Sequence, residues 1–203
     1  MRRQAMWDTR WAVGMLAVVC SVAWTPPALS ADKYVVDTAH TTVSFVVKHL
    51  MIYNVRGRFN EFSGVIMYDA QDITKSSMHG TIKVASLDTD NEKRDQDLRS
   101  ATFLDAEKYP EIVFQSTRLE QQGDGYVLHG DLTVHGTTKA VAMPFTVSGP
   151  VTHIGRTIIG FEARLELNRH EFQITYNKLM DNGGLIVGDT VRIELTGRAI
   201  KEG

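Results

Sequence analysis

The feature that most constrains this chain is a period-two alternation of apolar and polar residues, which recurs in short runs beyond residue 31. Successive side chains of a strand point to opposite faces, so each run predicts a β-strand with one apolar face. The clearest run is IIGFEARLEL at 158–167, where apolar residues alternate with charged ones. Similar runs are TTVSFVVKH at 41–49, MHGTIKVA at 78–85, YVLHGDLTV at 126–134, AVAMPFTV at 140–147 and VRIELTGRA at 191–199.

Residues that favour turns separate these runs, mainly Gly, Asp and Pro at 69–72, 121–125, 135–136, 149–150 and 181–184. Many short strands with one apolar face each are typical of an antiparallel sandwich or barrel. A parallel sheet is disfavoured because the helical crossovers that it requires are missing.

One segment lacks the alternation and is dense in charge, namely SLDTDNEKRDQDLRSATFLDAEKYP at 86–110. Thr89 followed by Glu92 fits a capping box, which predicts a short helix near residues 90–100. We expect this helix to lie over the sheet through Leu98, Phe103 and Leu104.

The first 30 residues have the pattern of a secretory signal peptide. Three arginines precede a 14-residue apolar run at 11–24, and the segment ends in TPPALS. The run is shorter than the roughly 20 residues that span a bilayer as a helix. We therefore predict a cleaved leader at 1–30, a mature domain at 31–203, and a periplasmic or secreted location.

Removal of this leader changes the composition. The single Cys and all three Trp lie within it, so the mature domain has no thiol, and disulfide scaffolds and thiol catalysis are excluded. The formal net charge falls from −2 to −4, because the leader carries three arginines and one aspartate. A mildly acidic domain is a poor candidate for nucleic-acid binding.

The sequence shows no catalytic or metal-binding signature. It has no nucleophile elbow, no phosphate-binding glycine loop and no H-E-x-x-H, and its seven histidines match no zinc spacing. Most histidines are expected on the surface or in hydrogen bonds. His40 and His49 are the candidates for a histidine-lined site, because they bracket an apolar strand.

Five stretches together resemble the YceI-like family of exported lipid- and polyisoprenoid-binding proteins. They are YVVDTAHTTVSFVVKHL at 34–50, VRGRFNEFSGVI at 55–66, ASLDTDNEKRDQDLRSATFLDAEKYPEIVFQS at 85–116, LHGDLTVHGTTKAV at 128–141 and GFEARLELNRHEF at 160–172. Two positions depart from the family pattern. Asp97 stands where the family commonly has histidine, and Gln173 where it tends to have glycine.

This resemblance implies a lipocalin-like antiparallel β-barrel of about eight strands that holds the tail of an isoprenoid quinone or another long amphiphile. It implies a non-enzymatic carrier or store, with no cofactor beyond the bound isoprenoid lipid or quinone. Transient contact with membranes is expected, and a homodimer is compatible with the family.

A barrel of this size is either filled by side chains or has room for one small ligand. The residues alone favour a filled core, whereas the resemblance favours a cavity lined by the apolar strand faces. Arg94, Asp95 and Arg99 are polar candidates near the helix, although an ion-paired helix surface explains them equally well. The predicted ligand-binding residues are Val43, Phe45, Val47, His49, Phe59, Phe62, Ile82, Val84, Leu98, Arg99, Phe103, Phe114, Leu128, Leu132, Met143, Phe145, Phe161, Leu165 and Phe172.

Two other classes of function remain open. A structural or interaction module would have a filled barrel and an apolar patch outside it. A hydrolase acting on a lipid is the least favoured class, because no pair of nucleophile and base can be named. A cluster of His40 or His49 with Ser44 and an acid, open to the cavity, would indicate it.

Overall fold

Antiparallel strands account for most of residues 31–203, the part of the chain that the computed structural model describes. The predicted leader at 1–30 lies outside these described residues. The strands are β1 Asp32–Val36, β2 Thr42–His49, β3 Tyr53–Phe59, β4 Phe62–Tyr68, β5 Ser77–Lys83, β6 Leu87–Asp88, β7 Glu111–Gln122, β8 Gly125–Val134, β9 Thr137–His153, β10 Arg156–Asn168 and β11 Val187–Lys201. The helix α1 spans Glu92–Arg99.

Eight of these strands close into a barrel in the order β1-β4-β5-β7-β8-β9-β10-β11, and β11 pairs back with β1. The other half of β11 pairs with β2, which carries β3 and β6 beside it. Thus β1 and β2 lie end to end along one long strand. The predicted eight-stranded antiparallel barrel is confirmed.

The alternation in sequence becomes an inside and an outside of this barrel. Along β10, Ile159, Phe161 and Ala163 point inward and are buried, whereas Glu162 and Arg164 are exposed. Burial of such apolar faces stabilises the barrel by about 1.5–3 kcal/mol per large side chain.

Helix α1 is present where the sequence predicts it, but the predicted capping residue is wrong. Asn91 is the N-cap, and its side chain accepts a hydrogen bond from the Arg94 backbone N–H at 3.0 Å. Asp90 has a φ of 60°, which turns the chain between Thr89 and the helix. Thr89 is therefore buried beside the helix, where it donates hydrogen bonds to the Asp95 carboxylate from its backbone N–H (3.0 Å) and its hydroxyl (2.5 Å).

The packed core falls into two clusters. The first fills one end of the barrel and includes Tyr34, Tyr68, Leu128, Phe145 and Ile159. The second lies toward α1 and includes Val84, Ile112, Leu132, Phe172 and Ile174. Within residues 31–203, no helix is long and apolar enough to cross a bilayer.

Candidate ligand-binding cavity

A cavity occupies the half of the barrel that the first cluster leaves unfilled. Along β8, Leu132 and Val134 line this cavity, whereas Leu128 belongs to the packed end. Along β10, Leu165 and Leu167 line it, whereas Ile159 is 0% exposed in the packed end. The barrel is thus part core and part cavity, so each of the two expectations for its interior holds for one half.

The cavity volume is about 240 Å³. One buried water needs only about 15 Å³, and small-molecule pockets begin near about 300 Å³. The space is therefore large enough for a segment of hydrocarbon, and it is not a packing defect.

The wall of the cavity is almost entirely apolar. Inward-facing residues of β11, namely Val191, Ile193 and Leu195, line it and are only partly buried because the space in front of them is open. Polar residues at the wall are few: Thr41, Ser63, His79, Thr81 and Arg169. Such a wall offers contact to hydrocarbon and little recognition of polar groups.

One glycine, Gly80 of β5, keeps one side of the cavity open. Gly64 of β4 lies opposite Gly80 of β5, and both line the cavity. A Cβ atom added at Gly80 would contact only the Ser63 carbonyl oxygen, at 3.6 Å. At Gly64 and Gly130, in contrast, the space is occupied, by the Val36 side chain (2.8 Å) and by the ring of Phe114 (2.5 Å). The absence of a side chain at Gly80 therefore contributes directly to the cavity.

At the end of the barrel away from the first cluster, α1 and the segment that follows it cover the cavity, and we call this end its mouth. Leu98, Phe103 and Leu104 all line the cavity, as expected for residues lying over the sheet. Phe103 also packs against Tyr176, with ring centroids 4.8 Å apart. This contact joins the helical segment to residues 173–187, which we call the strap.

Arg169 holds both ends of the strap. Its side chain is 3% exposed and donates hydrogen bonds to the carbonyl oxygens of Ile174 (2.8 Å), Val187 (3.2 Å) and Gly188 (3.0 Å). It also donates to the Asp189 carboxylate at 3.0 Å. Burial lowers the pKa of Arg169, and the charge of Asp189 opposes this shift. These partners engage the guanidinium, so Arg169 holds the strap in position beside the cavity.

Thirteen of the predicted residues line the cavity. They converge from strands β2 to β10, the α1 helix and the segment after it: Val43, Phe45, Val47, Phe59, Phe62, Ile82, Leu98, Phe103, Phe114, Leu132, Met143, Phe161 and Leu165. The wall also contains residues that the prediction omitted, among them the three from β11. Their alternation was visible in the sequence, and it could have identified them.

Six predicted residues lie outside the cavity wall. Leu128 and Phe145 fill the packed end, and Val84 and Phe172 belong to the second cluster. His49 lies at the end of β2 with its ring against Tyr53, at 5.1 Å. The sixth residue, Arg99, lies on α1 and donates a hydrogen bond to the Leu87 carbonyl oxygen at 2.6 Å.

The polar candidates near the helix are engaged in local structure. Arg94 donates to the Thr89 hydroxyl and carbonyl oxygens, both at 2.7 Å, while Asp95 accepts from Thr89. These bonds fix α1 to the strand before it. Neither Arg94 nor Asp95 lines the cavity.

The side chains considered for catalysis are not brought together. His40 lies 3.0 Å from Asp37 and from Arg198 on the outer surface. The Ser44 hydroxyl donates to the Glu194 carbonyl oxygen at 3.4 Å, and neither Ser44 nor His40 lines the cavity. Among residues 31–203, no group of His, Asp and Glu side chains is arranged to hold a metal ion.

A closed antiparallel barrel with one packed end and an apolar cavity in the other half defines the class of small-ligand-binding β-barrels. Comparison of sequences then places the protein within that class. The chain belongs to the YceI-like domain family, which it matches over residues 34–199.

Its relatives agree with this assignment. A UPF0312 protein of Vibrio cholerae is 40% identical over 141 residues, which are 68% of this chain and 72% of that protein. The crystal structure of BcnA from Burkholderia cenocepacia has a TM-score of 0.71 at 27% identity, covering 82% of this chain and 99% of BcnA.

A more distant structure shares the fold. It is a domain from Saccharophagus degradans described as a polyisoprenoid binding domain implicated in plant cell wall breakdown. Its TM-score is 0.64 at 12% identity, covering 85% of this chain and 99% of that domain.

Proposed function

We propose that this protein binds the apolar tail of a long-chain isoprenoid lipid, an isoprenoid quinone or a similar amphiphile, and carries or stores it without catalysis. The observation that carries this proposal is the apolar wall, in which the buried Arg169 is already engaged by the strap and Asp189. Hydrocarbon is the ligand chemistry that suits such a wall. The polyisoprenoid-binding description of the Saccharophagus domain supports the same class of ligand.

The energetics favour exchange with membranes over permanent binding. Burial of a methylene group from water is worth about 0.8 kcal/mol, so a tail of tens of carbons would nominally exceed the strongest known non-covalent affinities. The tail, however, starts in a bilayer that is already apolar. The net gain on entering the barrel is therefore small, as a shuttle or store requires.

We also propose that the protein acts in the periplasm or outside the cell after cleavage of residues 1–30. The cleaved form would contain six tyrosines and no tryptophan. Protein purified from its native compartment should therefore show tyrosine emission only, and a tryptophan band would contradict cleavage.

The ligand itself is tested by organic extraction of protein purified from that compartment without detergent, followed by mass spectrometry. We expect an isoprenoid or another long-chain amphiphile in stoichiometric amount. The control is the same protein delipidated by unfolding, refolded and then incubated with solanesol. Failure to recover any amphiphile and failure of the refolded protein to take up solanesol would together refute the proposal.

The alternative of a structural module fits the molecule less well. It requires a filled barrel, whereas the half of this barrel beside α1 and the strap contains the cavity. An apolar surface outside the barrel does exist, and its position suggests a role in delivery of the ligand.

A further inference from the structure

Four large apolar side chains are exposed at the end of the barrel that carries the strap. Met51, Ile52 and Tyr53 lie in and just after the turn between β2 and β3, and Leu179 lies in the strap. Ile52 is 78% exposed and Leu179 54% exposed. We call these four residues the tip patch.

The turn and the strap form one continuous surface. The Leu50 backbone N–H donates a hydrogen bond to the Ile186 carbonyl oxygen at 2.8 Å. A Cβ atom added at Gly184 would lie 2.6 Å from Met180 and 3.9 Å from Met51, so these two methionines flank the same glycine. The exposed residues of the two segments therefore act as neighbours.

The conformation of the turn makes its composition unusual. Leu50 and Met51 have φ values of 50° and 62°, and the Ile52 N–H closes the turn on the His49 carbonyl oxygen at 3.2 Å. Turns with two positive φ values strongly prefer Asn-Gly, because other side chains are strained there. Here both positions carry large apolar residues, whereas in the β9–β10 turn Ile154 (φ 49°) is followed by Gly155 (φ 71°). A turn of this kind without glycine opposes local folding preference, which is expected where function selects its residues.

The tip patch lies next to the mouth of the cavity. The strap begins beside Ile174 and ends at Val187, both of which line the cavity. Val187 also pairs with His49, the last residue before the turn. A ligand that passes the strap therefore emerges beside the exposed apolar side chains.

We propose that the tip patch docks onto a lipid bilayer, so that an apolar tail passes between membrane and cavity without crossing water. This inference rests on the proposed function. Lys48 and Lys178 are exposed beside the patch, and Asp181 is the only acidic residue in the strap. Segments 48–54 and 173–187 thus carry a small positive charge in an otherwise acidic domain, which suits an anionic lipid surface.

The size of the patch also favours a bilayer over a second copy of the chain. A stable protein interface needs about 20–30 residues from each partner, whereas the tip patch presents four side chains on two turns. A few apolar side chains with flanking lysines and a tyrosine are sufficient for insertion at a membrane interface.

The test is flotation of the mature protein with phosphatidylcholine vesicles, alone or mixed with phosphatidylglycerol. Replacement of a buried large aliphatic side chain by serine should weaken partitioning about tenfold or more. We therefore expect Ile52→Ser with Leu179→Ser to lower vesicle binding about 100-fold. The matched control is Val151→Ser with Ile154→Ser, which removes residues 62% and 85% exposed at the β9–β10 hairpin and should leave binding unchanged.

Further measurements separate docking from ligand binding. Uptake of dansylated undecanoic acid from solution should be equal in the Ile52→Ser, Leu179→Ser variant and the wild type, because neither residue lines the cavity. If neither the wild type nor the variant takes up the probe while the wild type still floats with vesicles, the proposed function is refuted and docking is supported. Equal flotation of the tip variant and the wild type would overturn the docking proposal. So would a wild-type dimer, measured by analytical ultracentrifugation, that the tip substitutions dissociate.

Discussion

Substitution Gly80→Leu should close the cavity while leaving the barrel intact. Gly80 faces inward between Met78 and Ile82, and its backbone has an ordinary strand conformation. A Cβ atom there meets only the Ser63 carbonyl oxygen, at 3.6 Å, which is a normal van der Waals distance. The remaining carbons of leucine would extend into the cavity that Gly80 lines.

The magnitude follows from the space that the new side chain takes. Leucine adds four carbons to a cavity of about 240 Å³. Displacing a similar number of ligand methylenes, at about 0.8 kcal/mol each, should cost about 3 kcal/mol, or about 100-fold in affinity. The free protein should become more stable, because a strand glycine costs about 0.5–1 kcal/mol and leucine buries apolar surface. Each kcal/mol raises the Tm of a domain this size by about 2–4 °C.

The assay is fluorescence titration of the delipidated mature protein with dansylated undecanoic acid, beside thermal denaturation of each variant. The matched control is Gly125→Leu, because Gly125 also lies in a strand but outside the cavity, with a Cβ position 3.7 Å from the Phe145 carbonyl oxygen. A raised Tm with unchanged probe affinity in Gly80→Leu would refute the reasoning. Equal loss of affinity in both variants would refute it as well.

Three further substitutions test other parts of the structure. Gln173→Gly should raise the free energy of unfolding by about 1 kcal/mol in urea denaturation, since Gln173 has a φ of 63°. An unchanged free energy of unfolding would contradict the backbone strain that we infer at Gln173. Arg169→Met should destabilise by about 3–5 kcal/mol because it leaves buried strap partners without donors, whereas Arg192→Met, in an exposed ion pair, should cost less than about 1 kcal/mol; equal losses would contradict this role. A hydrogen bond from Arg198 lowers the pKa of Asp37 below its ordinary 3.8, so the stability that this carboxylate contributes is present above that value and is lost as the pH falls through the folded-state pKa. The difference in unfolding free energy between wild type and Asp37→Asn should therefore shrink as the pH falls below about 4, and a constant difference would contradict the linkage.

The barrel itself could be predicted because strand alternation is a local property. Residues 158–167 alternate so regularly that the inward face of β10 can be identified without any knowledge of the neighbouring strands. The closure of β11 onto β1 is different, since it depends on pairing between residues more than 160 positions apart. Only the family resemblance predicted this closure. The alternation alone was compatible with either a sandwich or a barrel.

The extent of the cavity could not be predicted, because alternation gives the face of a side chain and not its depth along the barrel. Leu128 and Leu132 have the same pattern on β8, yet the first fills the packed end and the second lines open space. The prediction of the α1 capping residue was wrong for a related reason, because spacing in the sequence does not show which contacts a side chain makes. Thr89 and Glu92 have the right spacing, but Asp95 engages Thr89 and Asn91 takes the capping position.

The packed end gives the cavity a floor, and this floor bears on the choice of ligand. Met78, Met143 and Phe161 belong to the first cluster and also line the cavity, so a tail that entered at the strap would meet them last. An apolar wall distinguishes poorly between hydrocarbons by contact alone, because one methylene is worth only about 0.8 kcal/mol. A floor excludes the part of a tail that does not fit, and that part must then lie at the mouth, against the strap and the tip patch. Selectivity for tail length is therefore expected from the distance between floor and strap, and the unbranched methionines allow the floor to adjust.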